Sequence, residues 1–167
     1  MKLWRFATSD MQQQRLSQMI AALWWGAISG MSFVAVPLMF ANLGPAMAGP
    51  VAAKLFSLQC WMSLGFGLSL LLLVRRRKRE PVLTDLHLSE ASVDGLAARQ
   101  FVLGTMVILA MLLALVQEFG VAQKIITAKA SGGNLRLWHF VGSLLVLGQW
   151  LCAGSVLWRI TVEPSSV

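Results

Sequence analysis

The chain has no tyrosine, two histidines, two cysteines and only seven acidic residues among its 167. Cys60 and Cys152 both fall inside apolar stretches, so they supply neither a disulfide framework nor a spaced zinc motif. His87 and His139 are too far apart for an H-E-x-x-H site, and no Walker loop or dinucleotide fingerprint is present. No nucleophile, base and acid stand out as a set. Charge is scarce as well, at 13% of residues, where a soluble domain carries about 25%.

What fills the chain instead is apolar, at 57%. A soluble fold would have nowhere to bury that surplus. The formal charge of +7 could attract nucleic acid or an anionic membrane surface. The basic residues flank apolar segments and form no folded basic face or aromatic platform, which points to the membrane and away from nucleic acid.

A membrane-spanning helix needs roughly 20 mostly apolar residues. Four segments meet that length, at about 16–43, 51–74, 101–130 and 135–158. Backbone polar groups in lipid must be satisfied within the segment, so all four are expected to be helices. The expectation is an all-α integral membrane four-helix bundle forming a single domain over 1–167, with a loop at 75–99. Pro37 removes a hydrogen bond late in the first helix and predicts a kink. Asn42-Leu43-Gly44-Pro45 reads as a turn, and Ser131-Gly132-Gly133-Asn134 breaks the chain before the last helix. Nothing firmly stops the third helix between Glu118 and Ser131. Trp138 and Trp158 bracket the fourth, about 30 Å apart at the helical rise, which matches the hydrocarbon thickness.

Lysine and arginine set the orientation. Lys2, Arg5, Arg15, the run Arg75, Arg76, Arg77, Lys78 and Arg79, then Arg99 and Arg159 lie on one side. Lys54, Lys124, Lys129 and Arg136 lie on the other. The expectation is a multi-pass protein of the bacterial inner (cytoplasmic) membrane with both termini cytoplasmic. Lys2 and Arg5, an apolar run and Ala46-Met47-Ala48 also outline a cleavable signal peptide, but the run is long for one and Pro37 interrupts it. The run 75–79 acts as a topology determinant and sits where anionic lipid headgroups lie.

Helices in lipid associate through small residues. Gly26 and Gly30, Ser63 and Gly67, Ala110 and Ala114, and Gly148 and Cys152 each show a four-residue small spacing. Packing within the bundle is the plain reading, and a homo-oligomer is the other. Cys60 and Cys152 lie at different depths and cannot be bridged.

A sparse polar set gathers at the outer level. Pro37 and Asn42 end the first helix there, Lys54 begins the second, and Gln117 and Glu118 close the third. His139 begins the fourth, with Ser143 one turn deeper on the same face. The candidate cluster is His139, Glu118, Met39, Lys54 and Ser143. A Glu118–His139 or Glu118–Lys54 contact either pins helices together or forms a ligand or proton site. Met31, Met39 and Met47 recur every eight residues; thioethers with an imidazole suit Cu(I), while methionine is commonly a gap-filler. His87 lies in a polar loop and reads as solvated.

The segment LWWGAISGMSFVAVPLMFANL, followed by AGPVAAKLF, resembles the opening of a bacterial membrane family labelled domain of unknown function 4149, itself similar to the transmembrane protein 205-like group. The matching positions are Leu23, Trp24 and Gly26; Val34, Ala35, Pro37 and Phe40; and Ala48, Gly49, Val51, Ala52, Leu55 and Phe56. His139 and Ser143 fit a histidine and serine typical of the last helix. The resemblance spans most of the chain and is strongest over residues 20 to 73. It implies a four-helix inner-membrane protein and carries no established activity. More distantly the family looks similar to copper-resistance membrane proteins and to a haem-binding protoporphyrinogen oxidase family. Those use histidines within helices, and this chain has none in its first.

The favoured expectation is therefore a non-enzymatic accessory or interaction bundle with no resident cofactor or metal. The alternative is a small-solute or copper-handling protein using the outer cluster. A third is a redox enzyme with haem held by His139 across a dimer.

Overall fold

The computed structural model describes residues 2–77 and 90–162. Lys78, Arg79, His87 and most of the expected loop lie outside the described residues, as do the side chains of Arg76 and Arg77. The chain is all-α: α1 Lys2–Ser29, a π-helical turn Gly30–Ala35, α2 Val36–Arg77, α3 Glu90–Leu115, a second π-helical turn Val116–Val121, α4 Ala122–Ser131 and α5 Leu135–Val162. Four stretches are long and apolar enough to cross a membrane: Met11–Gly44, Met47–Arg75, Ala97–Ile125 and Leu135–Val162. The protein is a four-helix bundle of the multi-pass membrane type.

Local chemistry sets the breaks. α2 runs through a kink at Gly44, whose φ of 69° is open to a residue without Cβ, and Pro45 restricts the same joint. This one residue turns the first span into the second. Between α4 and α5, Gly132 takes φ 74°. Asn134 then caps α5 by accepting a hydrogen bond from the Leu137 backbone N–H at 3.1 Å.

The first helix starts at Lys2, well before the apolar run. Its polar stretch is bound to the bundle: Gln13 Nε2 donates to the Leu73 carbonyl at 2.8 Å, and Gln18 Nε2 to the Ile160 carbonyl at 3.4 Å. The third helix likewise begins early, at Glu90, and continues through its π turn to Ser131.

α1 packs against α2 and α5, and α3 packs against the same two, closing a ring of four. Ala21, Trp24 and Ile28 face Leu70, Leu103, Val107, Ala110, Val146, Ala153 and Val156 in the core. Their spacing of three and four residues suits the shallow crossing angle of such bundles. Trp24 is buried and donates its Nε1–H to Ser63 Oγ at 3.1 Å. Large apolar side chains such as Met19, Phe101 and Trp158 point outward, 62–72% exposed, as a lipid-facing surface requires.

Three of the four small-residue seams face inward. A Cβ on Gly67 would meet the Met111 side chain at 2.7 Å, and one on Gly148 would meet Leu113 Cδ1 at 3.0 Å. Ser63, Ala110, Ala114 and Cys152 are buried beside them. Gly26 and Gly30 differ: nothing lies within 4 Å of a Cβ on either, so this seam faces out of the bundle.

Candidate functional site

Both π turns lie at the end of the bundle that carries the Gly44 kink. In the first, the Val36 N–H reaches back five residues to the Met31 carbonyl; in the second, the Ala122 N–H reaches the Gln117 carbonyl. The first has a local cause. Pro37 has no N–H to offer, and its ring would crowd the Phe33 carbonyl four residues back. The helix widens by one residue immediately before it. The expected proline kink is thus a π turn. The second π turn contains Gly120, a weak helix former.

A cavity of about 390 Å3 lies between the two turns, within the usual range for small-molecule sites. Ser32 and Phe33 come from the first turn, and Gln117, Glu118 and Val121 from the second. Ala52, Ala53 and Phe56 of α2 and His139, Gly142, Ser143 and Val146 of α5 complete most of the wall. Each turn contributes polar side chains to the lining, Ser32 from the first and Gln117 and Glu118 from the second; such turns are frequent at functional sites.

The polar lining is tied to buried groups. Ser57 Oγ donates to Glu118 Oε1 at 2.8 Å. Gln149, 1% exposed, donates from Nε2 to Gln117 Oε1 at 2.6 Å. Ser32 Oγ donates at 3.5 Å to Oε1 of Gln59, which is 2% exposed. The Gln59 Nε2 group is buried with no hydrogen-bond partner. A buried amide donor without a partner costs roughly 1–3 kcal/mol, so this end of the bundle holds an unmet demand for an acceptor.

One side of the cavity is open. Below Ser29, α1 runs close along α5, and Trp25 packs at a tilt against Trp150 with ring centroids 5.5 Å apart. Ser29 Oγ accepts from Trp150 Nε1 at 2.8 Å, which locks that level. Above it, neither the Gly30–Ala35 turn nor the following part of α2 runs close along α5. Phe33 bridges the gap edge-on to Trp150, at 5.7 Å between centroids. Phe33, Phe40, His139, Ser143 and Leu147 line the cavity and are themselves exposed. They form the lips of a lateral opening.

Of the five candidate residues, Glu118, His139 and Ser143 line this cavity. Met39 and Lys54 do not; Lys54 is exposed. Glu118 is pinned by Ser57, not by His139 or Lys54. Ser143 donates to the His139 carbonyl at 3.0 Å rather than to its imidazole. Asn42 donates to the Leu38 carbonyl at 2.7 Å on its own helix, and Lys124 lies over the Trp138 ring at 5.9 Å. Sequence reasoning missed Ser32, Ser57, Gln59 and Gln149. The two glutamines had a signal, since an amide in the middle of an apolar span needs a partner on another helix.

The cavity walls are apolar and aromatic, with one carboxylate, Glu118, and one amide, Gln117. Among the described residues, no three His, Cys, Asp or Glu side chains come together, and one histidine faces the cavity. One imidazole is one short of the pair that bis-histidine haem takes.

No curated protein and no solved structure matches the chain. Residues 19–134, which include the second and third spans whole and the first from Met19 onward, match the family described as Domain of unknown function (DUF4149). That match covers most of the chain and both π turns, and the protein belongs to this family.

Proposed function

We propose that this protein is a non-enzymatic accessory bundle of the bacterial inner membrane that binds a small amphiphile in the cavity between its π turns. The carrying observation is the pair of π turns, each contributing polar side chains to the lining of one space of about 390 Å3. The apolar walls suit a hydrocarbon body. Glu118 and Gln117 suit a cationic or hydrogen-bonding end group. The exposed lips at Phe33, Phe40 and His139 suit entry from the bilayer.

Both termini are cytoplasmic in this reading, supported by the excess of lysine and arginine at the ends and in the middle loop. The cavity then opens in the periplasmic half. Arg75, which is exposed at the end of α2, and the basic residues after it meet anionic headgroups. A second copy of the chain, if one assembles, packs on the open Gly26–Gly30 face. Copper and haem are not expected; an absorbance spectrum with elemental analysis of the purified protein checks this, and a stoichiometric metal lost in His139→Ala would overturn it.

The test of the ligand is native mass spectrometry of protein released from its own membranes, beside Ala53→Phe and Ser143→Phe. Both positions line the cavity and are exposed, so the added ring enters the cavity without disturbing the core. A small-molecule adduct on the parent protein, lost in both variants, is the expected result. An adduct that persists in both, or no adduct on the parent protein, sinks the proposal.

A further inference from the structure

At the opposite end of the bundle lies a larger groove of about 640 Å3, separate from the first cavity. It runs between α1, α3 and α5. Trp25, Leu103, Trp150 and Leu151 form its apolar depth; Arg99, Ser155 and Arg159 line it toward the bundle end. A Cβ on Gly154 would lie 2.9 Å from Trp25 Nε1, so the bare helix surface there admits the edge of the indole.

The charged and hydroxyl groups of this groove are unengaged. Arg99 and Arg159 are exposed, and neither has a carboxylate partner among the described residues. Among the described side chains, Ser155 is the one helical hydroxyl with no hydrogen bond. Ser29, Ser69, Thr105, Ser143 and Thr161 each donate to a carbonyl four residues back. Ser155 makes no such bond. Two guanidiniums and a free hydroxyl therefore rim an apolar slot that contains no acidic residue.

Dimensions identify the occupant. From Trp150 to Arg159 the helical rise gives about 14 Å, close to the roughly 15 Å of one leaflet's hydrocarbon. An acyl chain laid along Trp150 and Leu151 brings its phosphate to the level of Arg99 and Arg159. Guanidinium is the side chain best matched to phosphate oxygens. The geometry points to a specific site for one anionic phospholipid, its chain in the groove and its phosphate between Arg99 and Arg159, with Ser155 donating a hydrogen bond. This site is distinct from diffuse attraction to the juxtamembrane basic run, because it depends on two residues at the ends of different spans.

The test uses the full chain in vesicles in which a dibrominated lipid replaces part of the host. Bromine quenches tryptophan on contact, and Trp25, Trp150 and Trp158 all line the groove. Brominated phosphatidylglycerol is compared with brominated phosphatidylcholine. A basic residue near the membrane surface is worth about fivefold in association, so the anionic lipid is expected to be preferred by at least about fivefold. Arg99→Gln with Arg159→Gln abolishes the preference, and Arg75→Gln retains it. Preference unchanged in the double variant, or lost equally in Arg75→Gln, overturns the site in favour of diffuse charge. Should the double variant fail to fold, Ser155→Leu obstructs the groove with both charges kept. The expected loss of preference there supports the site, and an unchanged preference overturns it. Displacement of the brominated lipid by millimolar inorganic phosphate would assign the rim to the free ion and likewise overturn it.

Discussion

The bond between Gln149 and Gln117 gives a sharp stability test because its two ends are buried unequally. Gln149 sits on α5 at 1% exposure, while Gln117 is half-buried and lines the cavity. Gln149→Leu removes the donor and fills a similar volume. It leaves Gln117 free to turn into the cavity, so the loss is one interhelical hydrogen bond. Such bonds in membranes average about 0.6 kcal/mol and reach about 1.7. Gln117→Leu instead leaves the Gln149 amide buried and unpaired, which adds roughly 1–3 kcal/mol. The expected order is about 1 kcal/mol for Gln149→Leu and about 2–3 kcal/mol for Gln117→Leu. The double variant removes both polar groups and should be no worse than Gln149→Leu. The assay is unfolding in mixed micelles with increasing sodium dodecyl sulfate, followed by tryptophan fluorescence. Equal losses in the two single variants, or a double variant worse than either, would refute the argument from unequal burial.

Pro37→Ala restores the N–H that the first π turn is built around. It should tighten Gly30–Ala35 towards an α-helix, raise stability by roughly 1–3 kcal/mol and lower ligand occupancy in the native mass spectrum. Trp24→Phe removes the bond to Ser63 and should lower stability by about 1 kcal/mol in the micelle assay. Cys60 and Cys152 are buried and unbridged. A polar maleimide should leave both unlabelled in the folded protein and label both in dodecyl sulfate, and labelling of the folded protein would count against the packing described.

The four spans were legible because a bilayer demands length and apolarity, and both are linear properties of sequence. The breaks were legible from their turn residues, Gly44-Pro45 and Gly132-Gly133. Helical phase was not. In lipid the outward face is as apolar as the inward one, so periodicity of hydrophobicity does not mark which side is buried. That is why the Gly26–Gly30 seam, read as packing, faces outward while Ser63–Gly67 faces in. Phase also decides the site. Lys54 and Ser57 are one turn apart, yet Ser57 meets Glu118 and Lys54 lies exposed. Pro37 announced a distortion near the first π turn. Nothing comparable marked Val116–Val121, where Gly120 alone hinted at a weakened helix. The match of Glu118, His139 and Ser143 to one cavity came from depth alone; Met39 shared that depth but not the facing side.

The separation of the first span from α5 above Ser29 has a thermodynamic corollary. A molecule that enters between Phe33 and His139 leaves the hydrocarbon of the membrane directly and never crosses water. Its occupancy is then governed by its mole fraction among the surrounding lipids. Doubling the lipid at fixed ligand and protein would halve that fraction and weaken the apparent binding, although nothing in the aqueous phase had changed. Titrations expressed per volume of buffer would return a different constant at every lipid-to-protein ratio, and only those expressed per mole of lipid would agree.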